Sequence, residues 1–366
     1  VYEHGMEQVV SVSGYNTTGS VAETLTVPEE RKGDSTRVEI RISGSLSGWL
    51  LDGLGVLFAE NKVHSEALVS SVVPVVLFRA ALRAKGVNRP WVDLAYGDHI
   101  KDAGGDPGRS GVDAWIADRL RRIVDMQLPN GAWPWQPTGS ADLNMTAYVV
   151  WGLTRAEQAG VTVELGEALE RGRRYLDRNL VEAEFNVNLQ AWMLHALASR
   201  HAARKPGNPS EREIATFGNI WKNRDLLTNF GRALLGLSAD AFGLDLEKEI
   251  LGRNLYNGVI RRTAGDGFPM VTWAPGDSGR GMNFEATETT AMAMLALTEL
   301  KPEETLLYEA HYGLLRNRIA GGWRHSRETA FAMLALTRLF ERFGTDPDEA
   351  AIEGLCNGSA LADVTD

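Results

Sequence analysis

Thr290-Ala291-Met292-Ala293-Met294-Leu295-Ala296-Leu297-Thr298-Glu299-Leu300 aligns without a gap on Thr329-Ala330-Phe331-Ala332-Met333-Leu334-Ala335-Leu336-Thr337-Arg338-Leu339, 39 residues further on. Both stretches place apolar side chains every three to four residues, the period of a helix. The offset is that of a helix pair. A weaker copy is Thr146-Ala147 followed by Leu153-Thr154. Each copy lies downstream of a glycine–aromatic turn: Gly131-Ala132-Trp133, Gly265-Asp266-Gly267-Phe268 and Gly321-Gly322-Trp323. Glycine permits a tight turn with positive φ, and the aromatic ring plugs the space between hairpins. The expectation is a permissive turn at Gly322 with Trp323 packed behind it. The alanines let helices approach closely, and aromatics and methionines at helical spacing read as core packing rather than a ligand cage.

Outward from the repeat, helical windows recur near residues 47–60, 65–85, 110–126, 145–159, 166–179, 187–203, 210–223, 229–241, 244–261, 288–300, 302–317 and 327–342. Twelve helices in sequential antiparallel pairs close into a ring of six hairpins with an inner and an outer layer. The predicted fold is mainly α, an (α/α)6 toroid. The ends of the chain differ. Val38, Ile40 and Ile42 alternate with Arg37, Glu39 and Arg41, the period-two pattern of a half-buried strand. Near the other end Asn357-Gly358 is a two-residue hairpin signal. The chain therefore divides into a linker and strand segment at 1–44, the toroid at 45–345, and a tail with a returning hairpin at 346–366.

Composition narrows the function. With 38 Lys+Arg against 48 Asp+Glu the formal charge is −10, so no positive field exists to hold a phosphate backbone, and nucleic acid is excluded as a partner. A hydrophobic content of 44% with ten tryptophans is that of a packed chain. The single Cys356 forbids an internal disulfide and any multi-cysteine metal site. No stretch approaches the roughly 18 consecutive apolar residues of a membrane span. The longest apolar run, 72–78, is interrupted by Pro74. The start, Val1-Tyr2-Glu3-His4, has neither an initiating methionine nor a signal peptide's basic and apolar regions, and reads as an excerpt from a longer chain.

Several stretches appear in a characteristic order. They are Leu25-Thr26-Val27-Pro28, then Trp49-Leu50-Leu51-Asp52-Gly53-Leu54, then Asn130-Gly131-Ala132-Trp133-Pro134-Trp135 with Thr146-Ala147-Tyr148-Val149. Ile220-Trp221-Lys222-Asn223-Arg224-Asp225-Leu226-Leu227 and Phe230-Gly231-Arg232-Ala233-Leu234-Leu235 follow, and Glu288-Thr289-Thr290-Ala291 and Gly321-Gly322-Trp323 complete the set. On these residues the chain resembles the thioester-containing domain of bacterial α2-macroglobulins, large envelope proteins similar to animal α2-macroglobulin and complement components. The resemblance implies a toroid inserted within a CUB-like β-sandwich, to which the strand at 37–42 and the hairpin at 355–364 would belong. It implies no cofactor, and a place in the periplasm or outside the cell as part of a larger chain. The implied partners are proteases, other envelope proteins and the remainder of that chain.

The family's reactive motif is Gly-Cys-x-Glu-Gln, whose cysteine sulfur and glutamine carbonyl form an internal thioester that captures an attacking protease. The resemblance places the motif just before Val72-Val73-Pro74, on Val63-His64-Ser65-Glu66-Ala67. His64 then stands at the cysteine and Ala67 at the glutamine, with only Glu66 retained. The chemistry needs a thiolate leaving group and an acyl carbon, so the thioester is absent. Gly5-Met6-Glu7-Gln8 has no cysteine, and Cys356 has no neighbouring glutamine. The implied function is protease entrapment or partner docking without covalent capture, and not catalysis.

Two other readings stay open: a toroid enzyme acting on glycans or isoprenoids, and a purely structural interaction module. Ionisation of a prenyl diphosphate needs Asp-Asp-x-x-Asp, class II cyclisation needs Asp-x-Asp-Asp, and neither occurs. A prenyltransferase zinc site needs a cysteine on the helices, and no metal site is assigned. Glycan chemistry needs two carboxylates. Asp93, Asp98, Glu285 and Glu288 are candidates that nothing distinguishes from a solvated rim. His99 with Asp98 and Asp102 reads as a solvated loop, and His195 as a hydrogen-bonded buried or rim histidine. Arg171, Arg173 and Arg174 read as surface partners of Glu167 and Glu170. His325 and Arg324 belong to a turn, and Asn16-Thr17-Thr18 is an uninformative sequon.

Overall fold

An inner helix of a two-layer ring must be apolar on every side and an outer helix on one, and the helices sort on that basis. The computed structural model describes residues 22–27, 29–30, 36–38, 40, 46–86, 111–181, 186–201, 208–263, 267–276, 284–319, 321–344, 355–356 and 359–360. Among these residues twelve α-helices follow one another. They are α1 (Leu46–Phe58), α2 (Ser65–Ala84), α3 (Gly111–Asp125), α4 (Leu143–Gln158), α5 (Gly166–Asn179) and α6 (Val187–Ala198). Then come α7 (Glu211–Lys222), α8 (Asn229–Phe242), α9 (Asp245–Asn257), α10 (Ala286–Leu300), α11 (Glu304–Leu315) and α12 (Ser326–Phe343). In α6 every residue from Gln190 to Ala198 is buried, and in α10 every residue from Thr287 to Met294. In α5 burial is confined to Ala168, Leu169, Gly172 and Leu176, a single stripe.

The even-numbered helices form the inner layer. α2 packs on α4, α4 on α6, α6 on α8, α8 on α10, α10 on α12, and α12 returns to α2, closing the ring. Outside it α1 lies on α2 and α12, α3 on α2, α5 on α4, α7 on α6, α9 on α8 and α10, and α11 on α10. The inner helices run parallel. At one end Asn188 of α6 accepts from the Thr228 amide before α8 at 3.0 Å, and Glu288 of α10 pairs with Arg327 of α12 at 2.5 Å. At the other end Gln158 donates to the Ser199 carbonyl at 2.8 Å, and Arg338 of α12 pairs with Glu299 of α10. Tyr148, Trp151, Trp192, Phe230, Phe284 and Phe331 touch one another ring to ring across the middle.

Three tryptophans fasten outer to inner helices in the same way. The amide of Trp133 donates to Thr146 Oγ1 at 2.9 Å and its indole N–H to the Ile123 carbonyl at 2.7 Å. Trp273 donates likewise to Thr290 (3.1 Å) and Leu255 (2.8 Å), and Trp323 to Thr329 (3.0 Å) and Leu314 (3.0 Å). The threonine that opens each copy of the repeat is thus the acceptor for a linker amide at the start of an inner helix. The predicted aromatic of the α9–α10 link is corrected by this pattern. Phe268 is half-buried, 5.7 Å from the Tyr312 ring, and Trp273 occupies the plug position, fully buried. The glycine expectation shifts by one residue as well. Gly321, with φ 87°, takes the left-handed conformation, while Gly322 closes the turn by exchanging backbone hydrogen bonds with Ile319. Gly131 has φ 93°, and a Cβ there would lie 2.6 Å from the Arg171 carbonyl oxygen.

Other expectations are revised locally. The helix predicted over 244–261 ends at Asn257, and Ile260–Thr263 pairs antiparallel with Pro269–Thr272 as β1 and β2. Gly258 stops the helix, and the β-branched Val259, Ile260 and Thr263 suit a strand. The helix predicted over 187–203 ends at Ala198. Residues 36–38 and 40 form no strand, and Val38 and Ile40 are exposed. The predicted hairpin near Asn357-Gly358 is present, β3 (Leu355–Cys356) against β4 (Ser359–Ala360). Among the described residues no sheet joins it to 22–40, so no CUB-like sandwich is formed by them. Among the described residues one helix, α2, is after all long and apolar enough by length and composition to cross a membrane. It packs between α4 and α12 with α1 and α3 outside it, which accounts for its apolar character.

Candidate functional site

The first turn of α2 carries the residues singled out in the sequence. His64 is the N-cap, extended at φ −96° and ψ 155°, and its Nδ1 accepts the Ala67 amide at 3.2 Å. That bond satisfies one of the free amides of a helix start and leaves Nε2 to carry the ring proton. Ser65 is pinned to the α3–α4 link, its amide to the Trp135 carbonyl at 3.1 Å and its hydroxyl to that of Pro134 at 2.6 Å. Glu66 Oε2 lies 3.8 Å from His64 Nδ1. Its Oε1 accepts from Ser70 Oγ at 2.7 Å, and Ser70 Oγ meets the Tyr148 hydroxyl at 3.0 Å. Ala67 is completely buried. The turn therefore offers an imidazole, a carboxylate and a methyl group, with neither a thiolate nor a side-chain carboxamide.

Beside it the N-terminal ends of α10 and α12 add a second polar group. Glu288, 1% exposed, accepts from Arg327 Nε at 2.5 Å and from the Glu285 amide at 2.7 Å. The Arg327 guanidinium lies over the Phe284 ring, 5.3 Å from its centroid. Burial pushes the Glu288 carboxyl up and Arg327 pulls it back, while Arg327 is itself raised by Glu288 against its own burial. Burial likewise pushes the Tyr148 phenol up, and the charge of Glu66 adds to that. Glu288 is therefore a buried ion-pair partner, which corrects its reading as a solvated rim acid. Asp93, Asp98, His99, Asp102, residues 5–8 and 16–18 and the Cys356 side chain lie outside the described residues, as do residues 281–283. Arg173 bonds Glu170 at 2.7 Å, as expected of that cluster.

Against this geometry stand solved structures of the same architecture. Native alpha-2-macroglobulin from Escherichia coli, from domain MG7 to the C-terminus, superposes with a TM-score of 0.54 at 18% identity, covering 79% of this chain and 42% of that one. The chain shares its fold with bacterial alpha-2-macroglobulins. The native E. coli protein reconstructed by cryo-EM gives 0.53 at 20% identity, over 80% of this chain and 17% of the other. Salmonella alpha-2-macroglobulin reacted with methylamine gives 0.51 at 19% identity, over 78% and 17%. The chain thus spans less than half the length of the alpha-2-macroglobulins it matches. No family model and no curated protein matches its sequence.

Two buried histidines of this alpha-2-macroglobulin-like ring give it a pH dependence. His195 is buried as expected, yet among the described residues its Nδ1 has no hydrogen-bond partner. Burial, and then the charge of Arg155, hold it down at about 3, and burial holds His311 down at about 4. Free histidine titrates near 6.5. Below that pH the unfolded chain takes up protons that the folded chain refuses, so stability is complete above about 6.5 and falls as pH drops toward the folded values. Each histidine is expected to remove about 2 kcal/mol by pH 5. Denaturant titrations at pH 7 and pH 5 should show less acid loss in His195→Gln and His311→Gln than in the parent. An unchanged loss in both variants would assign it to other groups.

Proposed function

We propose that this chain is the helical domain of an alpha-2-macroglobulin-like protein of the bacterial envelope or exterior, holding a protease or partner protein by contact alone. The reading divides the chain into a strand and linker segment at 1–44, the toroid at 45–345 and a returning tail at 346–366, all within a longer polypeptide. The observation that carries it is the first turn of α2. There His64 caps the helix and Ala67 is a buried methyl, at the positions that the family resemblance gives to the thioester cysteine and glutamine. An internal acyl trap needs a sulfur leaving group joined to an acyl carbon, and this turn has no sulfur and, at Ala67, only a methyl group. Glu66, the retained residue of the motif, is held by Ser70 instead. Glu66 and Glu288 are each committed to protein partners, which favours a docking domain over an acid–base pair. Partners are then held by surface complementarity, and release is reversible.

The test is methylamine, which opens thioesters. Treated protein should release no thiol and keep its mass, as read by a thiol assay and intact mass spectrometry. A stoichiometric adduct mapped by peptide fragmentation to 63–67 would overturn the reading.

A further inference from the structure

At the end of the ring away from His64, the C-terminal ends of the inner helices carry a polar layer with no role in the proposal above. Arg155 lies one turn beyond Trp151 on α4, and His195 one turn beyond Trp192 on α6. The Trp192 and His195 rings stack at 6.2 Å with 16° between planes. From α10 and α12 come Glu299, Arg338 and Glu341. Arg338 bonds Glu299 and, at 2.6 Å, Glu341, so the two acids nearest this layer are already engaged. The Arg155 side chain is partly exposed and makes no hydrogen bond or ion pair among the described residues, although it feels the charges of Arg338, Glu341 and Glu299. His195 is 8% exposed, and its buried Nδ1 is likewise unmatched.

A partly exposed guanidinium with no protein partner is free to take a counter-charge from outside, and a buried ring nitrogen without a partner calls for explanation. The fork of a guanidinium fits the two oxygens of a carboxylate, and a neutral imidazole has one N–H to give. The C-terminal dipoles of the inner helices account for a cation at this end. They do not account for the orphaned Nδ1.

We propose that this mouth of the ring is a carboxylate-binding site, in which Arg155 receives both oxygens and His195 donates Nδ1–H to one of them. Trp192 supports the imidazole from below and fixes the direction of its N–H. Burial, and after it the charge of Arg155, disfavours protonation of His195, so the imidazole meets the ligand as a neutral donor at neutral pH. The carboxylate comes from a small free acid or from an acidic residue of a protein. The site stands independently of whether partners are captured covalently at α2.

The experiment titrates the full chain with acetate, with a blocked peptide ending in glutamate, and with inorganic phosphate, at constant ionic strength. The imidazole NMR signals of His195 and the thermal midpoint are followed. Acetate or the peptide should shift the His195 signals saturably and raise the midpoint. Arg155→Gln should weaken binding about 10- to 100-fold, the loss of a charged hydrogen-bonded contact, and Arg155→Lys should restore part of it. Without ligand, Arg155→Gln should melt no lower than the parent, because the guanidinium has no hydrogen-bonded partner to lose and repulsion from Arg338 outweighs its attraction to Glu341 and Glu299 individually. Tighter binding of the peptide assigns the ligand to a protein partner, and equal binding of acetate assigns it to a free acid. Absence of a saturable shift, an equal shift in Arg155→Gln, or phosphate binding as tightly as acetate would each overturn the site.

Discussion

Trp133→Ala is expected to lower the unfolding free energy by about 3–5 kcal/mol, the range for truncating a buried aromatic. Trp133 has no exposed surface, and its indole donates to the Ile123 carbonyl at 2.7 Å. Substitution leaves that acceptor unmatched as well as opening a cavity. The cavity cannot easily collapse. Gly172 of α5 lies so close that a Cβ there would sit 2.6 Å from the Trp133 ring, so ring and helix are already in contact. Trp323→Ala, at 5% exposure with the same pair of hydrogen bonds, should fall in the same range. Urea or guanidinium denaturation measures both. A midpoint equal to that of the parent would mean that the linker tryptophans do not fasten the hairpins.

Glu288→Leu should cost about 3 kcal/mol, at the lower end for breaking a buried ion pair because Arg327 keeps 18% of its side-chain surface in solvent. The loss arises chiefly from removing the carboxylate that balances the Arg327 charge beside Phe284. A double variant with Arg327→Met should therefore recover much of it, and the coupling of the two sites is read from a double-mutant cycle. Strict additivity would show that the pair contributes nothing as a pair.

The layers of the ring were legible in the sequence because burial on all sides imposes unbroken alanine, leucine and methionine, and burial on one side imposes a stripe. The threonines of the repeat were legible as well, but their purpose was not. Each accepts from a tryptophan 13, 17 or 6 residues upstream, and a gapless alignment cannot register a variable distance. In the α9–α10 link the eye is drawn to Phe268 because it follows glycine directly, and Trp273 lies beyond the β1–β2 hairpin that displaces it. By its sequence neighbourhood alone Glu288 is indistinguishable from a solvated rim acid. The signal against that reading was available in the repeat, since Glu288 pairs with Arg327 and Glu299 with Arg338, both 39 residues apart. Equivalent positions in neighbouring inner helices had been given opposite charges. At α2 the sequence shows which residues stand at the motif. It does not show that the Ala67 amide is capped by His64, because that depends on the extended backbone at the cap.

Five of the six seams of the inner ring join helices separated by one outer helix, and the sixth joins α2 to α12 across most of the chain. During folding the five local seams can form in any order, each drawing on neighbours close in sequence. Until the sixth closes, the growing arc has two bare apolar flanks, the surfaces by which partly folded chains associate with one another. The entropy of bringing the two flanks together rises only with the logarithm of the intervening length, so the long closure adds little to the barrier. What it adds is cooperativity. The last contact to form turns a string of hairpins into one unit, and no inner helix can then leave without exposing two others.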